Sequence, residues 1–74
     1  SLHTFVQMVD NGLGLTLLPE MAIRAGLLTG TDVVARPLMA EHAYRSIALV
    51  WRKNSPRVKD FELLGDALRA LHND

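Results

Sequence analysis

The chain has no cysteine, so neither a disulfide framework nor a thiolate metal site can supplement its core. A chain without cysteine is compatible with the cytosol. It also has no net charge: eight lysines and arginines balance eight aspartates and glutamates. A nucleic-acid-binding surface normally carries a basic stripe, so this stretch is not expected to be one. No apolar run approaches the roughly 18 residues of a membrane-crossing helix. No basic segment followed by an apolar one stands at the N-terminus, so no signal peptide is visible. There are no internal repeats and no low-complexity tract.

What is present is unusually apolar. Hydrophobic residues make up 49% of only 74 positions. So small a chain can bury limited surface by itself. The expectation is therefore a fragment of a larger domain, starting abruptly on Ser1 with a helix-start signal.

In chain order, Ser1 suits an N-cap ahead of Leu2, Phe5, Val6 and Val9, which share one helical face. Met8 lies off that stripe. Asn11-Gly12 should end the helix, because glycine takes positive φ without a Cβ clash. Leu15 to Leu18 is too short for a helix and suits a strand covered on both faces. Pro19 should open a short helix through Ala25, with Glu20 in its first turn and Gly26 ending it. Leu27 to Asp32 reads as a turn or loop.

Val33 to Leu38 reads as a second strand, weakened at Pro37, which has no N–H for a ladder. Met39 to Arg45 is polar and loop-like. Ser46 to Arg52 is the clearest strand, apolar on both faces until Arg52 and so expected to be central or well covered. Ser55-Pro56 supplies an N-cap and a first-turn proline. Val58, Phe61, Leu63 or Leu64, Leu68 and Leu71 then follow at helical spacing, fading at His72 to Asp74. Gly65 inside that helix suggests close approach to a neighbour. The order helix, strand, helix, strand, strand, helix is α/β in class.

Chemistry-bearing patterns are few. Gly12-Leu13-Gly14 resembles a dinucleotide turn but has Leu17 where a third glycine belongs, and it follows a helix instead of a strand. His3, His42 and His72 are too far apart to make a metal motif. Ser1 and Ser55 are explained as caps, and Ser46 sits in no nucleophile elbow. Asp10, Glu20, Asp32 and Glu41 form no recognisable acid–base pair. Trp51 reads as core. Arg52, Lys53, Arg57 and Lys59 form a small basic cluster that suits a solvated loop and helix start. No catalytic residue, metal site or cofactor is expected, and an enzyme reading has no positive support. A helix-turn-helix spanning Phe5 to Leu28 would need Leu15 to Leu18 not to be extended.

Geometry suggests one kind of site. Ligands of open α/β sheets gather where strands end and helices begin, near exposed backbone N–H groups. Ser1 with Leu2, and Leu18-Pro19-Glu20, are two such points. Thr16 is a weaker third.

The run from Ser1 to Pro19 resembles a segment of LysR-type transcriptional regulators: a helix, Gly-x-Gly, an apolar strand and Leu-Pro. Val33 to Leu38 resembles that family's strand returning between subdomains. Ser46 to Arg52 with Ser55-Pro56 resembles its ending of strand, Arg, Ser-Pro and last helix. Ser1-Leu2, Met8-Val9, Gly12, Gly14, Thr16 to Pro19, and Ile47, Leu49, Val50 and Arg52 are most similar to the peroxide-sensing, OxyR-like branch.

The resemblance implies the C-terminal half of an effector-binding regulatory domain with a fold like type II periplasmic binding proteins. It implies that residues 1–38 belong to subdomain II and that residues 39–74 form the crossover and return to subdomain I. In such a domain the strand-end and helix-start points named above, Ser1, Leu2, Thr16, Leu18, Pro19 and Glu20, become the effector-cleft candidates. The resemblance places Val6, Met8 and Asp10 on the first helix at a homodimer interface. The implied whole is a cytoplasmic dimer or tetramer that binds promoter DNA through an N-terminal domain absent here, with RNA polymerase as a further partner. The implied stimulus is a small-molecule or redox effector. The branch implies activation of peroxide-stress genes, with its cysteine pair upstream of Ser1. A periplasmic-type solute-binding protein shares the fold and is the rival reading; a signal peptide in the full gene would favour it.

Overall fold

In the computed structural model, which describes residues 1–38 and 46–73, Ser1 starts the first helix, α1 (Leu2–Asp10). The Ser1 hydroxyl accepts from the Thr4 N–H at 3.4 Å, as an N-cap should. At the other end Asn11 is the C-cap and Gly12 follows at φ +84°. The Gly12 N–H donates to the Val9 carbonyl (2.9 Å) and the Leu13 N–H to the Met8 carbonyl (3.1 Å). Those two bonds form a Schellman closure, which needs a left-handed residue at Gly12. Met39–Arg45, expected as a polar loop, and Asp74 lie outside the described residues.

The chain then forms β1 (Leu15–Pro19), α2 (Glu20–Arg24), β2 (Val33–Pro37), β3 (Ile47–Arg52) and α3 (Val58–Asn73). The three strands make one antiparallel sheet in the order β1-β3-β2. Val50 lies opposite Thr16 on one side and Ala35 on the other; Trp51 lies between Leu15 and Val34. β3 takes the middle because both its faces are apolar. Ala48 and Val50 are fully buried, and Leu49 and Trp51 are nearly so.

Alternation sends those pairs to opposite layers. On one face Val50 joins Val6 and Val9 of α1, Leu18 and Val33, with Ile23, Leu27 and Leu28 packed alongside. On the other, Leu49 and Trp51 join Leu38 and Phe61, with Leu15, Val34, Val58 and Leu68 at the margin. The sheet is thus sandwiched between α1 with the α2 region and α3. Strands from before Leu38 and after Ser46 are hydrogen-bonded neighbours in this one sheet.

Several local expectations need correction. Among the described residues β1 is an edge strand; Leu18 packs on one face and Leu15 partly on the other, but Leu17 is 48% exposed instead of buried. Pro19 does not open α2. Its ψ of 134° is extended, it pairs with Ile47 as the last residue of β1, and it serves α2 only as N-cap. Among the described residues both β1 and β2 are edges, which is where Pro19 and Pro37 are tolerated. α1 buries Val6 and Val9 but leaves Leu2 and Phe5 exposed. α3 begins two residues after Pro56. The Ser55 hydroxyl caps the preceding turn, accepting from the Arg57 N–H at 3.1 Å. Phe61 of its stripe is buried, but Leu63, Leu64 and Leu71 are exposed.

Gly65 makes the close approach that its place in a helix suggested. A Cβ there would sit 3.5 Å from Cδ of Arg36 and 3.6 Å from a methyl of Leu49. These are ordinary contact distances, so alanine fits. Gly65→Ala should raise stability by about 0.5–1 kcal/mol through helix propensity. Chemical denaturation of the intact regulatory domain would check this.

Candidate functional site

The α1 C-terminus, the loop before β2 and the end of β3 are tied together by Arg52. Its guanidinium donates to the Asp10 carbonyl, where a cation also suits the helix dipole. The same group lies 3.8 Å from the Asp32 carboxylate. The Asp10 carboxylate accepts from the Asp32 N–H at 3.1 Å, and the Lys53 N–H donates to the Asp32 carbonyl at 2.8 Å. This fixes the end of the sheet where β1 starts.

Two concavities flank that end. One is a cleft of about 270 Å³ between the Gly12–Gly14 turn and the β3–α3 connection. Arg52, Ser55, Arg57 and Phe61 line its far side. The Arg57 guanidinium lies 5.5 Å from the Phe61 ring centre. The other is an apolar groove of about 240 Å³ along the β1 edge, lined by Phe5, Met8, Val9, Leu13, Leu15 and Thr16. Phe5, Met8 and Leu13 are 50%, 45% and 71% exposed there, a large share for apolar side chains.

The expected effector residues are not all equally placed to meet a ligand. Ser1 is exposed and spends its hydroxyl on the α1 cap; Leu2 is 38% exposed. Leu18 is 1% exposed, so its side chain belongs to the core. Pro19 is exposed, and Glu20 is half-buried with its N–H donated to the Ser46 carbonyl at 2.9 Å. Thr16 is half-buried and joins Met8 in the groove. α1 ends beside Arg52, at the end of the sheet where β1 starts, whereas Pro19 and Glu20 lie at the end of β1.

Of the expected interface residues, Val6 is 2% exposed and part of the core. Asp10 is engaged by Asp32. Met8 remains exposed. Phe5 and Leu13 were missed as its companions. A signal existed for Leu13: it is the second residue past the C-cap, a position that often makes a hydrophobic contact back to the last turn. The role of Arg52 had no local signal, because its partners are 20 and 42 residues away. Among the described residues, no group of three or more His, Asp or Glu side chains could hold a metal ion. None of their helices is long and apolar enough to cross a membrane.

The extended Leu15–Pro19 segment rules out a helix-turn-helix over these residues. A family model described as LysR substrate binding domain matches residues 1–72. The chain belongs to the LysR substrate-binding domain family. Its helix-strand-helix-strand-strand-helix order is that expected for this periplasmic-binding-protein-like fold.

Among its relatives, the HTH-type transcriptional regulator EstR of Acinetobacter baylyi is 37% identical over 71 residues, 96% of this chain and 24% of that protein. The DNA-binding transcriptional dual regulator OxyR of Escherichia coli is 39% identical over 70 residues, 95% of this chain and 23% of that protein. A probable hydrogen peroxide-inducible genes activator of Streptomyces viridosporus is 40% identical, covering 99% of this chain and 23% of its own length. The LysR-type chain therefore spans about a quarter of these curated relatives. No solved structure matches it.

Proposed function

We propose that this chain is the effector-sensing and self-association part of a LysR-type DNA-binding transcriptional regulator. The observation that carries the reading is the family match over residues 1–72, joined to relatives named as transcriptional regulators or gene activators. The segment performs no chemical turnover. An effector shifts the balance between two packings of the regulatory domain, and the shift changes how DNA-binding domains elsewhere in the polypeptide sit on promoter DNA. The assembly is a cytoplasmic homodimer or tetramer that engages RNA polymerase at the promoter. Relatives in Streptomyces viridosporus and Escherichia coli O157:H7 are named as hydrogen peroxide-inducible genes activators, which supports peroxide-stress genes as targets. With no cysteine in these 74 residues, a thiol sensor would lie elsewhere in the protein.

In this reading residues 1–38 belong to subdomain II and residues 39–74 form the crossover and return to subdomain I, the two parts joining where β3 lies between β1 and β2, and an effector meets the surface of this unit. Ser1, Leu2, Pro19 and Glu20 are the accessible effector contacts on it. The outer face of α1, with Phe5 and Met8, meets a second subunit.

DNase I protection by the full-length protein on genomic promoter fragments tests this. The expected outcome is saturable protection of discrete sites, with a pattern altered by hydrogen peroxide if the peroxide branch applies. Binding that does not distinguish promoter from scrambled DNA would overturn the regulator reading.

A further inference from the structure

We propose that the cleft between the Gly12–Gly14 turn and the β3–α3 connection is a second ligand site, for a small organic carboxylate with an apolar body. Its volume of about 270 Å³ is just below the usual range for drug-sized ligands and suits a single-ring acid. Two guanidinium groups reach it, and that planar fork matches a carboxylate. Both keep donors to spare. Arg52 is anchored to the Asp10 carbonyl but stands 3.8 Å from the Asp32 carboxylate. Arg57 stands 3.8 Å from the Asp60 carboxylate. Separations of 3.8 Å exceed hydrogen-bond distance, so these carboxylates orient the forks without saturating them.

The other walls fit the rest of the ligand. Leu13, 71% exposed, offers apolar surface, and the buried Phe61 lines the cleft beneath Arg57, which is held over its ring. The Ser55 oxygen accepts from the Arg57 N–H, which leaves its proton to donate. A Cβ built on Gly12 or Gly14 would meet nothing within 4 Å, so the turn leaves the entrance open. Asp10, Asp32 and Asp60 around the two arginines disfavour a doubly charged phosphate and favour a monoanion. The cleft shares no lining residue with Ser1, Leu2, Thr16, Pro19 or Glu20, so it is distinct from the effector surface and does not rest on the regulator reading.

Titration calorimetry of the full-length protein with sodium benzoate tests the site, with acetate and inorganic phosphate as comparisons. The expected result is saturable benzoate binding, about tenfold or more weaker for acetate, which lacks the ring. Arg57→Gln should weaken benzoate by about tenfold or more, since a hydrogen bond to charge is lost, and Arg57→Lys by less. Lys59→Gln, a nearby charge outside the cleft, should bind as wild type does. Arg57 is 68% exposed in its side chain, so its variants should fold, and thermal melting would verify that. No saturable benzoate binding, equal binding by wild type and Arg57→Gln, or phosphate binding as tight as benzoate would each overturn the proposal. None of these readouts involves DNA, so the regulator reading can fail or stand separately.

Discussion

Trp51→Ala should remove about 3–5 kcal/mol of stability, close to the whole margin of a small domain. Trp51 is 6% exposed, yet it sits on the central strand and joins three elements. It lies opposite Leu15 on β1 and Val34 on β2, and its ring centre is 6.1 Å from that of Phe61 on α3. Alanine would leave a cavity that none of those neighbours can fill without leaving the sheet. Urea denaturation of the intact regulatory domain, followed by tryptophan-independent far-UV signal, would measure the loss. A cost under about 1 kcal/mol would mean that the α3 layer is loosely attached.

The second large effect separates the two sides of α1. Val6→Asp places a carboxylate at a 2% exposed position among Val9, Leu18, Val33 and Val50, with no cation in that cluster. Burying it unpaired should cost about 3 kcal/mol or more, and the variant should be largely unfolded. Met8→Asp, two residues on, changes a side chain that is 45% exposed. Its cost to folding should stay within about 1 kcal/mol. Self-association should fall instead, because a charge is set on the outer face of α1, which is proposed to meet a second subunit. Sedimentation of both variants, beside their melting curves, gives the contrast. Unfolding by Met8→Asp with tolerance of Val6→Asp would reverse the assignment of α1's faces.

The sequence made some of this legible for identifiable reasons. Ser46 to Arg52 is apolar on both faces until Arg52, so it read as a central or well-covered strand, and β3 is central. Gly12 after an amphipathic run read as a helix stop, and the Schellman bonds supply the mechanism. What failed was choice among equivalents. The stripe Leu2, Phe5, Val6 and Val9 spans a wide arc, and periodicity cannot say which half meets the sheet. Val6 and Val9 do, which turns Phe5 outward beside Met8. Leu15 to Leu18 read as doubly covered, and Leu15 and Leu18 do pack on opposite faces, but a four-residue apolar run does not reveal that the layer beside Leu17 is incomplete. Proline before a helix suits either the first turn or the last strand residue, and pairing with Ile47 decided for the strand.

The candidate site was less legible than the fold. Leu18 was chosen for its place at a strand end, but period-two alternation turns it into the core beneath α1. The cleft was not legible at all. Arg52 and Arg57 were visible only as part of a charged run, and their cleft exists because β3 brings them beside a turn some 40 residues earlier. That proximity depends on strand order, which no local pattern encodes.

Everything positioned here depends on β3 running between β1 and β2. Nuclear Overhauser contacts in the isotopically labelled regulatory domain measure that directly. The expected result is that backbone protons around Val50 contact those around Thr16 on one side and Ala35 on the other. Contacts to one of these neighbours alone, or to neither, would contradict the single sheet on which the effector surface, the α1 face and the carboxylate cleft are placed.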